Sequence, residues 1–124
     1  MVHKARENAE AANVLFAWRY FDAAANRFYY ALYQAGWAFL VKLKHPVPRQ
    51  AHGSYFPHSF DRTLDREGFG AQLGLRRDWR HLWDELRNHR VKADYHRDCV
   101  SGEDLEGDLM EFVEGVVSAV QAFV

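Results

Sequence analysis

Arg90 and His96 are the two side chains of this sequence whose types and spacing could do chemistry on a phosphodiester. An imidazole accepts and donates protons near neutral pH, so His96 could deprotonate a ribose 2′-hydroxyl. A guanidinium beside it would stabilise the negative charge that develops on the phosphate in the transition state. The pair therefore predicts cleavage of RNA in a scheme that requires no metal ion and no cofactor.

The spacing of these two residues bears on how they could share one site. On a regular helix of about 100° per residue, Arg90 and His96 would point about 120° apart. One active site would then need groups from two subunits, or a helix that ends between the two residues. We expect Arg87, Asp94 and Tyr95 to position these groups or the RNA.

The helix that carries Arg90 is predicted from an apolar stripe. It begins near residue 78 and ends around residues 93–95, and the stripe is formed by Trp79, Leu82, Trp83 and Leu86. Arg90 falls on the same stripe, where a charged side chain is costly unless it is paired. Two interpretations stay open. The guanidinium pairs inside the fold, with Asp94, Asp22 or Asn26, or it faces a groove or a partner subunit and binds an anion.

The other helices are predicted from periodicity and from the residues at their ends. The first is expected over about residues 6–20, with an inward face formed by Val14, Leu15, Trp18 and Phe21. The second spans about 22–43, and the prolines at 46 and 48 stop it. A short third helix is expected over about 59–67, followed by a glycine-spaced stretch at 68–74.

The last helix opens at Ser101, where Ser101 and Asp104 have the pattern of a capping box. An apolar stripe then continues from Leu105 to Phe123. No segment alternates apolar and polar residues for long enough to predict a strand. The sequence therefore predicts an all-α fold, an antiparallel up-down bundle of four longer helices and one short helix, in a single domain of residues 1–124.

The charge of the chain is nearly balanced but unevenly placed. The formal net charge of −1 at pH 7 excludes a broad electrostatic attraction to nucleic acid. Residues 76–97 are rich in arginine, whereas every charged residue of 103–114 is acidic. Any contact with RNA would therefore use a local basic patch.

The composition also indicates a cellular compartment. The single cysteine, Cys99, excludes an internal disulfide and fits a reducing cytosol. The first seven residues are charged and lack the apolar centre of a signal peptide, and the longest apolar run, 35–41, is too short to span a bilayer. We therefore expect a soluble cytoplasmic protein with no membrane partner.

Two other groups of residues could carry a function. His81, Glu85 and His89 share one helical face, as metal ligands can, with a third histidine to come from the loop 45–58. An exposed polar face is the commoner reason for this pattern, so we predict no metal site. The aromatic residues of the second helix could stack on bases or form the core, namely Tyr29, Tyr30, Tyr33, Trp37 and Phe39. The core is favoured because that helix is apolar on nearly every side, although Tyr33 could line a groove with Asn26.

Two segments of the chain resemble HEPN-domain proteins. Residues 22–35, DAAANRFYYALYQA, are similar to the second helix of that family, which combines small residues with an arginine and an aromatic pair. Residues 90–95, RVKADY, resemble the Arg-x-x-Ala-Asp-Tyr ending of one bacterial branch. The resemblance covers about residues 10–124 and implies an antiparallel helical bundle that dimerises through the helices bearing the motif.

The resemblance also implies a function for Arg90 and His96. Active members of the family are metal-independent endoribonucleases with an Arg-x(4–6)-His motif, and these two residues have that spacing. Arg87 and Asn88 are a second candidate for the start of the motif, because active members often have a polar residue after the arginine. The histidine positions of this second candidate hold Lys92, Ala93 and Asp94.

An alternative function follows from the same resemblance. Members of the Arg-x-x-Ala-Asp-Tyr branch often lack the histidine and serve as non-catalytic modules that bind a nucleotide or a protein. Such members belong to toxin–antitoxin and defence systems, in which they are paired with a nucleotidyltransferase. The expected partners are therefore RNA, a second copy of the chain and, in the alternative, a nucleotidyltransferase.

Overall fold

The computed structural model describes residues 2–44, 60–95 and 100–124, and every regular element in these ranges is an α-helix. In chain order the helices are α1 (Val2–Ala17), α2 (Phe21–Lys42), α3 (Phe60–Arg66), α4 (Phe69–Leu73), α5 (Trp79–Tyr95), α6 (Gly102–Leu105) and α7 (Asp108–Phe123). The predicted all-α fold is confirmed, with four longer helices in the described part of the chain. None of these helices is both long enough and apolar enough to cross a membrane.

Helix α2 lies at the centre of the bundle and contacts α1, α5 and α7. Its direction relative to α5 follows from contacts near the two ends. The ring of Phe69 contacts both Phe39, near the end of α2, and Trp79, at the start of α5. Arg90, near the end of α5, lies over Tyr29 in the first half of α2. Helices α2 and α5 are therefore antiparallel.

Helix α7 runs in the same direction as α2. The rings of Phe39 and Phe123 are 5.1 Å apart near the ends of the two helices. At the other end, Gly102 of α6, the short helix just before α7, lies against the ring of Phe21 at the start of α2. Helix α1 runs the opposite way, since a tight turn joins it to α2. The four longer helices thus alternate up and down in chain order, as predicted.

Aromatic rings fill the space between α2, α4 and α5. The rings of Phe69, Trp79 and Trp83 contact one another edge to face, with centroids 5.2 to 6.2 Å apart, a geometry that aromatic pairs prefer. Helix α3 packs against α2 at Gly36, where a Cβ atom would lie 2.7 Å from the ring of Phe60. This glycine therefore allows the close approach of the two helices.

The prediction for the inward face of α1 is wrong at two of its four positions. Trp18 is 71% exposed and Val14 is 57% exposed, whereas Leu15 and Phe21 do pack against the core. The buried side chains of α1 are those of Ala5, Ala9 and Ala12. Alanines at this spacing form a narrow face that lets α1 lie close to α2, and Val14 is on the other side of the helix.

The predicted last helix is interrupted. The capping box is confirmed, because the Asp104 N–H donates to the Ser101 hydroxyl and the Ser101 N–H donates to the Asp104 carboxylate. However, α6 ends at Leu105, and Gly107 adopts a φ of 75°, which favours glycine. Helix α7 begins at the next residue. Helix α4 was not predicted either, because a five-residue helix is too short to show a periodicity.

Candidate functional site

The predicted site residues of α2, Asn26 and Tyr33, share one face of that helix with Tyr29 and Tyr30. Asn26, Tyr29, Tyr30 and Tyr33 are spaced at i, i+3, i+4 and i+7, so their side chains follow one another along the helix. Tyr29 reaches α5, where its ring contacts Trp83 edge to face with centroids 6.5 Å apart. Tyr33 reaches α3, where its ring stacks on Phe60 at 4.9 Å. Tyr33 thus helps to form the core, and Asn26 is half-buried one turn before Tyr30.

Arg90 extends from α5 towards the same face of α2. Its guanidinium carbon lies 5.7 Å from the ring centroid of Tyr29 and 5.6 Å from that of Tyr30. One of its terminal nitrogens, Nη2, donates a hydrogen bond to the Tyr30 hydroxyl over 3.4 Å. A cation over an aromatic ring is attracted by the negative face of the ring, so the two tyrosines define where the guanidinium lies.

Asp22, one of the internal partners expected for Arg90, has another partner in the fold. Its carboxylate accepts a hydrogen bond of 2.7 Å from the backbone N–H of Val100. That bond attaches the start of the 100–124 segment to the beginning of α2. The side chains of Asp94 and Tyr95, and the whole of His96, lie outside the described residues, so the predicted Arg90–Asp94 pair and the position of the predicted catalytic histidine do as well.

Arg87 lies one turn before Arg90 and faces Tyr29. Its Nη2 atom is 3.3 Å from the Asp84 carboxylate, an ion pair within α5. Burial raises the pKa of the Tyr29 hydroxyl above 10.0, and the positive charges of Arg87 and Arg90 oppose this rise. The phenol therefore stays protonated at neutral pH. Tyr29 can donate a hydrogen bond to an anion near the two arginines, but it does not act as a base.

Other arginines of the predicted basic patch belong to ion pairs with carboxylates of neighbouring segments. Arg80 bridges two carboxylates of α3, with nitrogens 3.2 Å from both Asp61 and Asp65. Arg76 pairs with Asp78 at 3.0 Å and lies 3.5 Å from Asp108 at the start of α7. The sequence placed all these arginines in one patch, whereas the structure divides them between structural ion pairs and the tyrosine face of α2.

The structure brings together some of the predicted site residues and separates others. Arg87 and Arg90 meet Tyr29 and Tyr30 where α5 crosses α2. Asn88 is exposed. It is two residues before Arg90, about 200° around the helix, so its side chain points away from the tyrosines of α2. The alternative metal ligands His81 and Glu85 are 3.8 Å apart at closest, and no group of three metal-binding side chains occurs among the residues that the structure describes.

Tyr30 is the residue at this site that sequence reasoning missed. Its ring was assigned to the core with the other aromatic residues of α2, yet it is 37% exposed. A signal was present in the sequence. The buried stripe of α2 runs through Ala24, Ala25, Phe28, Ala31, Leu32 and Ala35. Tyr30 lies two residues after Phe28, about 200° around the helix and so on the side opposite this stripe, where an exposed side chain is expected.

The chain matches a known protein family over nearly its whole length. A family model described as "HEPN domain" matches residues 1–123, a span that includes all seven described helices. No curated protein and no solved structure matches the chain. The match extends over both segments that carried the resemblance in the sequence.

Proposed function

Because the chain belongs to the HEPN domain family, we propose that it is a metal-independent endoribonuclease whose Arg90 and His96 act at the interface of a homodimer. The observation that carries this proposal is the position of Arg90. Its guanidinium is held over Tyr29 and Tyr30 where α5 crosses α2, near the end of α5 and close in sequence to His96. A cation so placed, with Arg87 one turn away, can bind a phosphate of RNA.

The proposed reaction is an attack by a ribose 2′-oxygen on the adjacent phosphorus. The imidazole of His96 takes the 2′-hydroxyl proton, the O2′–P bond forms and the P–O5′ bond breaks. The 5′-oxygen takes up a proton from the imidazolium of His96 or from that of the second protomer. Arg90 stabilises the charge on the phosphate oxygens during the transfer. The products are a 2′,3′-cyclic phosphate and a 5′-hydroxyl.

A homodimer would supply the geometry that one helix lacks. The approximately 120° between Arg90 and His96 on a regular helix separates their side chains within one protomer. Two copies related by a twofold axis at α5 would place each arginine near the partner's histidine. Arg87, Asp94 and Tyr95 lie on this helix, and we propose that they position the RNA, with Asn26 on the facing helix. As a toxin or defence component, such an enzyme would be controlled by a partner protein.

The proposal is tested by incubating the purified protein with structured RNA in the presence of EDTA. We expect the unchanged protein to cleave, and Arg90→Ala and His96→Ala each to lose cleavage while retaining the circular dichroism of a helical fold. Arg77→Ala is the matched control, because Arg77 is an exposed arginine just before α5. It removes the same charge and should leave cleavage unchanged.

Three further measurements make this experiment decisive. Mass spectrometry of the fragments should find 2′,3′-cyclic phosphate ends, and RNA with a 2′-deoxyribose at the cut should resist. Sedimentation should find a dimer. Equal background cleavage in all four proteins would contradict the proposal. That result would favour the alternative, in which the chain is a non-catalytic module that binds a nucleotide or a protein and partners a nucleotidyltransferase.

A further inference from the structure

The geometry around Arg90 points to a specific class of RNA. We infer that the exposed ring of Tyr30 stacks on an unpaired nucleobase next to the phosphate bound by Arg90, so that the substrate is single-stranded at the site of cleavage. This inference rests on the proposed function, because it assumes that Arg90 binds RNA. It assigns to Tyr30 the role of selecting RNA whose bases are unpaired.

Exposure distinguishes Tyr30 from the other aromatic side chains of its helix. Phe28 is 2% exposed and Phe39 is fully buried, whereas Tyr30 is 37% exposed. Tyr33 is half-buried and its ring is covered by Phe60. Tyr30 is therefore the aromatic residue of α2 that a ligand arriving from solvent can reach most easily.

The ring of Tyr30 is also held in a defined orientation. Tyr29 contacts it edge to face, with centroids 6.1 Å apart and an angle of 68° between the planes. The Arg90 guanidinium lies over it and donates to its hydroxyl. A ring fixed in this way loses little conformational entropy when a base stacks on it, which favours binding.

In one RNA strand each base lies next to a phosphate. Because Tyr30 and Arg90 are also neighbours, the ring can contact the base while the guanidinium binds the phosphate. Proteins that bind single-stranded RNA combine cationic groups for the backbone with aromatic rings for the bases. Within a duplex, each base is already stacked between its neighbours and has no face to offer, whereas loops, bulges and ends have unstacked bases. A tyrosine beside the phosphate-binding arginine therefore selects unpaired RNA.

The experiment measures binding of short 2′-O-methyl oligoribonucleotides, which the proposed mechanism cannot cleave because the attacking hydroxyl is blocked. We expect Tyr30→Leu to weaken the binding of the single strand about tenfold. Tyr30→Trp, which keeps a ring, should bind as tightly as the unchanged protein. Tyr20→Leu is the matched control. Tyr20 is a tyrosine that is 61% exposed and lies ten residues earlier, about 15 Å away along a helix.

Abasic nucleotides identify the base that stacks. We expect the removal of one base, at one position of the strand, to weaken binding to the unchanged protein about tenfold and to have no further effect on Tyr30→Leu. The scan on the unchanged protein needs no variant, so it stays informative if Tyr30→Leu fails to fold. A fully paired duplex of the same sequence should bind more weakly than the single strand.

The outcomes separate this inference from the proposed function. If the protein binds RNA through Arg90 but Tyr30→Leu binds as tightly as the unchanged protein, or if no single abasic position weakens binding, the inference is wrong and the proposed function stands. Equal or tighter binding of the duplex would also overturn it. If the unchanged protein neither binds nor cleaves RNA, both fail.

Discussion

The guanidinium of Arg90 lies over the ring of Tyr30, with its carbon 5.6 Å from the ring centroid and a nitrogen 3.4 Å from the phenol oxygen. The two residues are 60 positions apart in the chain, so this contact exists because α5 packs antiparallel to α2. It places a cation, a hydroxyl and an aromatic face side by side on the surface. That combination is the chemical basis of both proposals and of the first prediction below.

Arg90→Lys should retain RNA binding better than RNA cleavage. Lysine keeps the positive charge, but it lacks the planar fork that can contact two phosphate oxygens at once. We expect cleavage by Arg90→Lys to fall about 100-fold, as it does when one preorganised donor is lost from a catalytic site. The measurements are the single-turnover rate and the dissociation constant of the same RNA. Equal losses of rate and affinity in Arg90→Lys would show that Arg90 contributes binding only.

Asp61 and Asp65 both pair with Arg80, and they should differ in their contribution to stability. The Asp61 side chain is 9% exposed, whereas that of Asp65 is 53% exposed. Loss of a partner from a buried ion pair costs more than loss of an exposed one. We expect Asp61→Asn to lower the free energy of unfolding by about 1–3 kcal/mol, and Asp65→Asn by less than about 0.5 kcal/mol. Urea denaturation followed by circular dichroism measures both, and similar losses would contradict this account.

The capping box at α6 should make stability depend on pH in a defined range. The backbone N–H of Ser101 donates to the Asp104 carboxylate and holds its pKa below 3.8, with further help from the Ser101 hydroxyl and the nearby positive charges of His89 and Lys92. A lowered pKa in the folded state contributes stability that is fully present above about pH 3.8 and is lost as the pH falls below it.

The comparison of Asp104→Asn with the unchanged protein tests this pH dependence. The variant should be less stable by about 0.5–1 kcal/mol at neutral pH, and the difference should shrink as the pH falls from 4 towards 2 because the carboxyl group becomes protonated. Glu103→Gln is the control, since it removes an exposed acid at the neighbouring position of α6. A difference that stays constant with pH would show that the charge of Asp104 is not responsible.

Two glycine-to-alanine substitutions should change stability in opposite directions. An alanine at Gly36 would place its Cβ 2.7 Å from Phe60 and 2.9 Å from Leu64, so α2 and α3 would have to move apart. We expect a loss of about 1–3 kcal/mol. Gly115 lies inside α7 with nothing within 4 Å of an added Cβ, so alanine should stabilise the helix by up to about 1 kcal/mol. Thermal denaturation measures both, and a stabilising Gly36→Ala would refute the close packing of α3 on α2.

Much of the fold could be predicted because its signals are local. The spacing of Trp79, Leu82, Trp83 and Leu86 determines which side of α5 is buried, since a helix repeats every 3.6 residues whatever surrounds it. The capping box of Ser101 and Asp104 is likewise formed by residues three positions apart. These features need no information about the rest of the chain, and the family resemblance was carried by the same kind of short segment.

The inward face of α1 could not be predicted in this way. Hydrophobicity favours the burial of Trp18 and Val14, but the helix packs through its alanines because small side chains let two helix backbones come close. Which of two apolar faces is buried depends on the shape of the neighbouring helix. That shape is set by residues of α2 and α7 far away in the sequence.

The sequence by itself determined the longer helices, the capping box and the presence of a charged residue on the stripe of α5. Only the tertiary structure decided which side chains each charged residue contacts. Arg80 and Arg90 belong to the same helix, yet the first is bound by the carboxylates of α3 and the second lies over the tyrosines of α2. The physical reason is that helical periodicity acts over a few residues, whereas the neighbours of a side chain are set by the packing of segments that are distant in the chain.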